Sequence, residues 1–243
     1  MKIYNMKNLN GKTIILTGAS KGIGKVTAKK LTEYESNLVL VSRKMSDLQK
    51  VEKELNYDSE KLLLVEADVS NADDDKKIID ETIKKFSRID VLINNAAQFA
   101  HTRLIDIKIE DFDRVMNTNI RGVFILTKFA LKHMIPQNSG AIVNISSTAG
   151  KRGYPTGCAY GTSKFALNGF SESLFKEVRE YNIRVITISP SMVDTREKPL
   201  SEHKESGKGV YMRMEDVADT IIGSIVLPER CMIKDVEIWG TNP

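Results

Sequence analysis

Short runs of β-branched and aliphatic residues, each followed by a longer amphipathic stretch, constrain this chain more than any other feature. Thr13–Thr17, Leu38–Val41, Lys61–Glu66, Val91–Ile93, Ala141–Ile145, Ile183–Ile188 and Val236–Ile238 read as strands. Between them, Lys25–Tyr34, Met45–Leu55, Ala72–Phe86, Ile109–His133 (interrupted near Gly122), Tyr160–Glu180 and Glu215–Val226 read as helices. Strands separated by whole helices pair in parallel through right-handed crossovers. Near-continuous apolar strands require cover on both faces of the sheet. The expected fold is therefore α/β, a doubly wound parallel sheet.

No internal repeat, low-complexity tract or linker divides the 243 residues, so one domain over 1–243 is expected. With 41% hydrophobic residues the chain can bury a substantial core. Its net charge of +4 is spread along the sequence, which argues against a nucleic-acid partner. No apolar run is long enough to cross a bilayer, and residues Met1 to Asn10 lack the apolar core of a signal peptide. Cys158 and Cys231 lack metal-ligand spacing and read as free thiols; no metal is expected, and a cytoplasmic location follows by elimination.

Ligands of doubly wound sheets collect at the carboxyl ends of the strands, near the switch in strand order. The first such end carries Thr17-Gly18-x-x-x-Gly22-x-Gly24, with Ser20, Lys21 and Ile23 between the glycines. Glycines allow a tight turn and close approach to a pyrophosphate, while the helix N-terminus supplies unpaired N–H groups and positive dipole. The second strand ends at Val41-Ser42-Arg43, where no acidic residue stands to accept a ribose hydroxyl. Arg43 and Lys21 can instead pair with a 2′-phosphate, so NADP(H) is expected in preference to NAD(H). Asp68 either accepts from the adenine amino group or caps the helix beginning near Ala72.

A second cluster lies between Ser146 and Lys164. Tyr160 and Lys164, four apart on a helix, share a face. An ammonium beside a phenol favours the phenolate, which brings the hydroxyl toward a usable range for proton transfer. A serine from the preceding strand end can hydrogen-bond the oxygen being protonated. With a hydride source, such a set reduces a carbonyl or oxidises an alcohol.

Together the motifs Thr17-Gly18-x-x-x-Gly22-x-Gly24, Asp68-Val69, Asn94-Asn95-Ala96-Ala97, Asn119, Ser147, Tyr160-x-x-x-Lys164 and Pro190-Ser191-x-Val193-x-Thr195 resemble the short-chain dehydrogenase/reductase superfamily along essentially the whole chain. The resemblance implies a Rossmann fold with Tyr160 as general acid/base and Lys164 lowering its pKa and holding the nicotinamide ribose. Ser147, thirteen residues before Tyr160, would polarise the substrate carbonyl in place of its neighbour Ser146. Asn119 would hold a water in a proton relay; as a lone mid-helix asparagine it would instead bond its own backbone. Asn95 and Ala96 would contact the cofactor through their backbone, and Pro190, Val193 and Thr195 would hold its nicotinamide half. Two family glycines are replaced, by Ala97 and Ser191, where a positive φ would cost energy.

Gln98–Arg103, Gly150–Cys158 and Thr195–Tyr211 are expected around the substrate, the last either as a mobile cover or as a solvated loop. His101 and His203 are not needed as acid/base groups beside Tyr160. The tail Trp239-Gly240-Thr241-Asn242-Pro243 resembles oxoacyl-reductase-like proteins and 3-hydroxy acid dehydrogenases more than 3-oxoacyl-[acyl-carrier-protein] reductases with a glycine-rich end. The expected activity is NADP(H)-dependent interconversion of a small ketone, such as a 3-oxo acid or its thioester, and its secondary alcohol. The competing readings are an NAD(P)-dependent hydroxy-acid or polyol dehydrogenase and a non-catalytic NADP(H)-binding regulator. The resemblance also implies a homodimer or homotetramer.

Overall fold

The computed structural model describes residues 9–196 and 211–242. Its strands are Thr13–Thr17 (β1), Asn37–Ser42 (β2), Leu62–Glu66 (β3), Val91–Asn94 (β4), Gly140–Ile145 (β5), Ile183–Pro190 (β6), the short pair Val193–Asp194 (β7) and Met212–Arg213 (β8), and Asp235–Ile238 (β9). The helices are Gly22–Leu31 (α1), Met45–Leu55 (α2), Ala72–Phe86 (α3), Ile109–Met116 (α4), Val123–Gln137 (α5), Cys158–Val178 (α6) and Met214–Ile225 (α7). The main sheet runs β3-β2-β1-β4-β5-β6-β9 with every pairing parallel. The order reverses between β1 and β4, as in a doubly wound Rossmann-like fold.

Alternation along each strand splits the core into two layers. Ile14 and Leu16 pack with Ala28, Leu48 and Val217, beneath α1, α2 and α7. Ile15 packs with Ile78, Leu126 and Leu174, beneath α3, α5 and α6. Burying each such side chain contributes about 1.5–3 kcal/mol, which fixes the strand register because a one-residue slip would exchange the layers.

The interruption expected near Gly122 is a π-helical turn, Asn117–Gly122, joining α4 to α5. Gly122, which ends the turn, packs closely there: a Cβ on it would lie 1.9 Å from the Val69 carbonyl oxygen. The helix N-cap expected near Asp68 is Asn71, whose side chain accepts from the Asp73 N–H. Asp68 instead closes its own turn, accepting from the Ser70 N–H and hydroxyl at 2.9 and 2.8 Å.

Among the described residues no helix is long and apolar enough to cross a membrane, and no group of His, Cys, Asp and Glu could hold a metal ion.

Candidate active site

A cavity of about 1120 Å³ opens along the carboxyl ends of the strands. At one end lies the glycine turn after β1. Gly18 and Gly22 have φ of +67° and +60°, a region that favours glycine. A Cβ on Gly18 would also sit 2.9 Å from the Ala96 Cα. Gly24 does not line the cavity; it packs against the Gly18 carbonyl, bringing α1 close to the turn. The N-terminus of α1 has no side-chain cap and no acidic residue in its first turn. Its N–H groups and dipole are thus left for an anion, while Gly18, Ser20, Lys21, Gly22 and Ile23 line the space before it. These features fit a dinucleotide pyrophosphate.

Arg43 and Lys21 are exposed at the next part of the cavity, with Lys44 beside them. Ser42 turns its hydroxyl back to the Lys44 backbone. Asp47 also lines this region, and the sequence reading overlooked it. A hydrogen bond and charge from Lys50, with weaker help from Lys44 and Lys21, hold its carboxyl below the usual value. The end is still net positive among these four side chains. Asp68 and Val69 line the wall opposite, as does Ala67.

Asn95 fastens β4 to β1. Its amide donates to the Thr17 and Gly18 carbonyls at 2.9 and 3.3 Å. The Asn95 and Ala96 N–H groups both donate to Thr17 Oγ1 at 3.0 Å. Any cofactor contact from these two residues therefore falls to their other backbone atoms. Asn119, in the π turn, is buried and does not bond its own helix. Its side chain accepts from the Gln98 N–H at 2.7 Å and donates to the Gln98 carbonyl at 2.9 Å and to Ser163 Oγ at 3.0 Å. Asn117, two positions earlier, is exposed.

Ser147, Tyr160 and Lys164 meet beyond β5. Ser147 Oγ accepts from the Ala149 N–H at 3.1 Å and donates to the Pro190 carbonyl at 3.5 Å, and it stands close enough to the Tyr160 phenol to oppose the rise in its pKa. Ser146 is turned away and donates to Asn168 Oδ1 at 2.6 Å. Lys164 Nζ donates to the Ile145 carbonyl at 2.7 Å and lies 5.6 Å above the Tyr160 ring centroid. The expectation that Lys164 lowers the Tyr160 pKa is not met here. Burial pushes the phenol up to about 12, with Ser147 opposing and Tyr154 adding to the rise. Burial also brings Lys164 down to about 8. The ammonium faces the ring and a carbonyl, and desolvation governs the phenol.

Pro190, Ser191, Val193 and Thr195 line the far wall. Neither Ser191 nor Ala97 has a positive φ, so the expected strain of replacing glycine is absent. Ser191→Gly should therefore lower stability by about 0.5–1 kcal/mol, through greater freedom of the unfolded chain. Urea unfolding checks this, and a gain in stability would mean that Ser191 is strained. The 197–210 part of the expected cover lies outside the described residues. Phe99 is a cavity residue that the loop sequence did not reveal; its ring stacks on Tyr160 at 4.7 Å between centroids.

Comparisons with known proteins identify the family. The family model described as short chain dehydrogenase matches residues 12–205. The NADP-dependent 3-hydroxy acid dehydrogenase of Schizosaccharomyces pombe is 34% identical over 247 residues, covering 98% of this chain and 95% of that protein. A 3-oxoacyl-[acyl-carrier-protein] reductase of Synechocystis sp. is 36% identical over 191 residues, covering 78% of this chain and 77% of the relative. A metagenomic short-chain oxidoreductase solved in complex with NADP is 28% identical, with a TM-score of 0.82 over 95% of this chain and 97% of that one. On sequence match, parallel sheet and strand-end cavity together, this chain belongs to the short chain dehydrogenase family of oxidoreductases.

Proposed function

We propose that the protein is an NADP(H)-dependent carbonyl reductase that interconverts a small ketone and its secondary alcohol, with Tyr160 exchanging the proton. The observation that carries this reading is the meeting of Ser147, Tyr160 and Lys164 at the end of a nucleotide-sized cavity. The uncapped start of α1 would hold the pyrophosphate, and Lys21 and Arg43 the 2′-phosphate. Asp68 and Val69 would border the adenine, and Pro190, Val193 and Thr195 the nicotinamide half. The bound nicotinamide would supply the hydride in reduction and accept it in oxidation.

In reduction, Tyr160 donates its phenolic proton to the carbonyl oxygen while Ser147 hydrogen-bonds that oxygen. In oxidation Tyr160 takes the proton back. A phenol held near 12 is protonated at neutral pH, the state from which it donates in reduction. Lys164 anchors to the Ile145 carbonyl and keeps its charge under the ring. Asn119 fixes the Gln98 backbone and thereby the segment bordering the substrate space. Half-exposed Phe124 and Phe165, on α5 and α6, support a homodimer or homotetramer.

The cofactor assignment is tested by Arg43→Asp. Loss of one charge-assisted contact and its replacement by repulsion should weaken NADPH binding by about ten- to a hundredfold. NADH binding should change by less than about threefold, since NADH lacks the 2′-phosphate. Nucleotide-fluorescence titration reads both. Equal weakening would make Arg43 a packing residue.

A further inference from the structure

The substrate-facing side of Tyr160 is covered by rings, and their arrangement is specific. Phe99 stacks on Tyr160 with centroids 4.7 Å apart and planes inclined by 27°. His101 lies 6.2 Å from Phe99, nearly parallel at 15°, and 6.2 Å from Tyr160. Tyr154 completes the group, 6.0 Å from His101 between centroids, with its hydroxyl 3.4 Å from His101 Nδ1. The loop before α6 is shaped to hold Tyr154. Thr156 takes a φ of +66°, and a Cβ on Gly157 would lie 2.5 Å from Tyr154 Cε1. Phe99 is 56% exposed, so its outer face is available for stacking while its inner face covers the catalytic ring.

Several cations at this end are already paired among the described residues. Lys151 bridges Asp235 and Glu237 at 2.8 and 3.2 Å. Arg152 pairs with Glu237 and lies over the Trp239 ring. Arg196 grips Asp194 through two hydrogen bonds. Two nearby cations have no ion pair among the described residues: Arg103, exposed on the turn that follows His101 and outside the cavity lining, and Lys164, which lines the cavity with its Nζ held by the Ile145 carbonyl. A substrate carboxylate brought against the outer face of Phe99 would lose hydration without gaining a counter-charge from the paired Arg152 and Arg196 or from Lys151.

We propose that Phe99, braced by His101 and Tyr154, forms an aromatic wall that selects uncharged ketones bearing a flat aromatic or conjugated substituent over the corresponding free oxo acids. This specificity rests on the carbonyl-reductase reading of the site. The flat substituent stacks in an offset or tilted manner against Phe99, which lines the cavity, while His101 and Tyr154, outside the lining, brace that ring. Although two relatives are named for hydroxy or oxoacyl substrates, the wall directs this chain elsewhere.

The test is NADPH oxidation by the purified protein with four matched substrates: ethyl benzoylacetate, ethyl acetoacetate and the two free acids. The expected kcat/KM for ethyl benzoylacetate exceeds that for ethyl acetoacetate by about tenfold. Each ester should exceed its acid by about tenfold or more. Phe99→Leu should bring the aryl-to-alkyl ratio near unity, mainly through KM, whereas Phe99→Tyr should preserve it. Gly157→Ala, which displaces Tyr154 without touching Phe99, should lower the same ratio. An unchanged ratio in Phe99→Leu overturns the wall. So does a preference for the acids, and its loss in Arg103→Ala would move the carboxylate to that side chain. Turnover of the esters without aryl preference overturns the wall alone. Absence of turnover with all four, under saturating bound NADPH, overturns the carbonyl-reductase reading and the wall with it.

Discussion

Replacing Tyr160 with phenylalanine is expected to lower kcat by about a thousandfold, within the range of about 10²–10⁴ that general acid catalysis supplies. The variant keeps the ring that packs beneath Phe99 and beside Lys164 and removes only the oxygen that meets Ser147. Nucleotide affinity should stay within about threefold, since the phosphate-binding end shares no atom with the phenol. Pre-steady-state NADPH oxidation and nucleotide titration together separate the two effects. Activity within tenfold of the parent would remove Tyr160 from the proton transfer. A parallel loss of NADPH affinity would make the phenol a cofactor ligand in its own right.

The second large effect concerns stability and arises far from the substrate. Asp75 lies in the first turn of α3 on the stripe that carries Ile78, Ile79 and Thr82 into the core. It is fully buried, and neither carboxylate oxygen has a hydrogen-bond partner. Burial pushes its pKa up to about 8; Asp74 and Asp68 add to the rise and Arg121, on the π turn, opposes it. The unfolded carboxyl ionises near 4, so between about pH 4 and 8 the folded state holds a proton that the unfolded state has released. Stability contributed by this site therefore falls as pH rises across that window and levels off above about 8. Asp75→Asn removes the titration, and its gain over the parent should be small at pH 4.5 and reach about 2–4 kcal/mol at pH 8. Asp75→Val should gain further, because it also removes the unpartnered oxygens. Urea unfolding at the two pH values measures both variants. A pH-independent difference, or a loss in both variants, would show that Asp75 is held by interactions its surroundings do not display.

The stripe containing Asp75 was readable, although its polar member was not recognised. Ile78, Ile79 and Ile83 mark one side of α3, and one turn back along that face is Asp75. The sheet was legible because apolar runs and helical spacing are local properties, and parallel crossover rules leave few ways to connect them. The proposed catalytic set could be assembled from sequence because Tyr160 and Lys164 lie one helical turn apart and Ser147 stands two residues after β5. Their electrostatics could not. Spacing brings an ammonium close to a phenol, but whether charge or desolvation prevails depends on burial and on where Nζ points, here to the Ile145 carbonyl. The cost expected at Ala97 and Ser191 disappeared because the loop runs through them without a positive φ. Phe99 stayed hidden for a similar reason: nothing periodic in Gln98–Arg103 says which side chain turns over the site.

The π turn at Asn117–Gly122 ties the interior of the site to the outside of the protein through helical phase. An extra residue in one turn retards everything beyond it by about 100° relative to an uninterrupted helix. The turn therefore sets both the inward aim of Asn119 and the direction in which Phe124 leaves α5. A deletion of one residue within the turn would restore a regular helix with both halves in their present phase but would remove the widened turn that holds Asn119 on Gln98, whereas a deletion elsewhere in α4 or α5 would rotate one half against the other by about 100°. Substitutions can revise the side chains around Gln98 one at a time, but changes of length in this rod are constrained together: the clamp on Gln98 and the outward face of α5 have to be inherited as a unit.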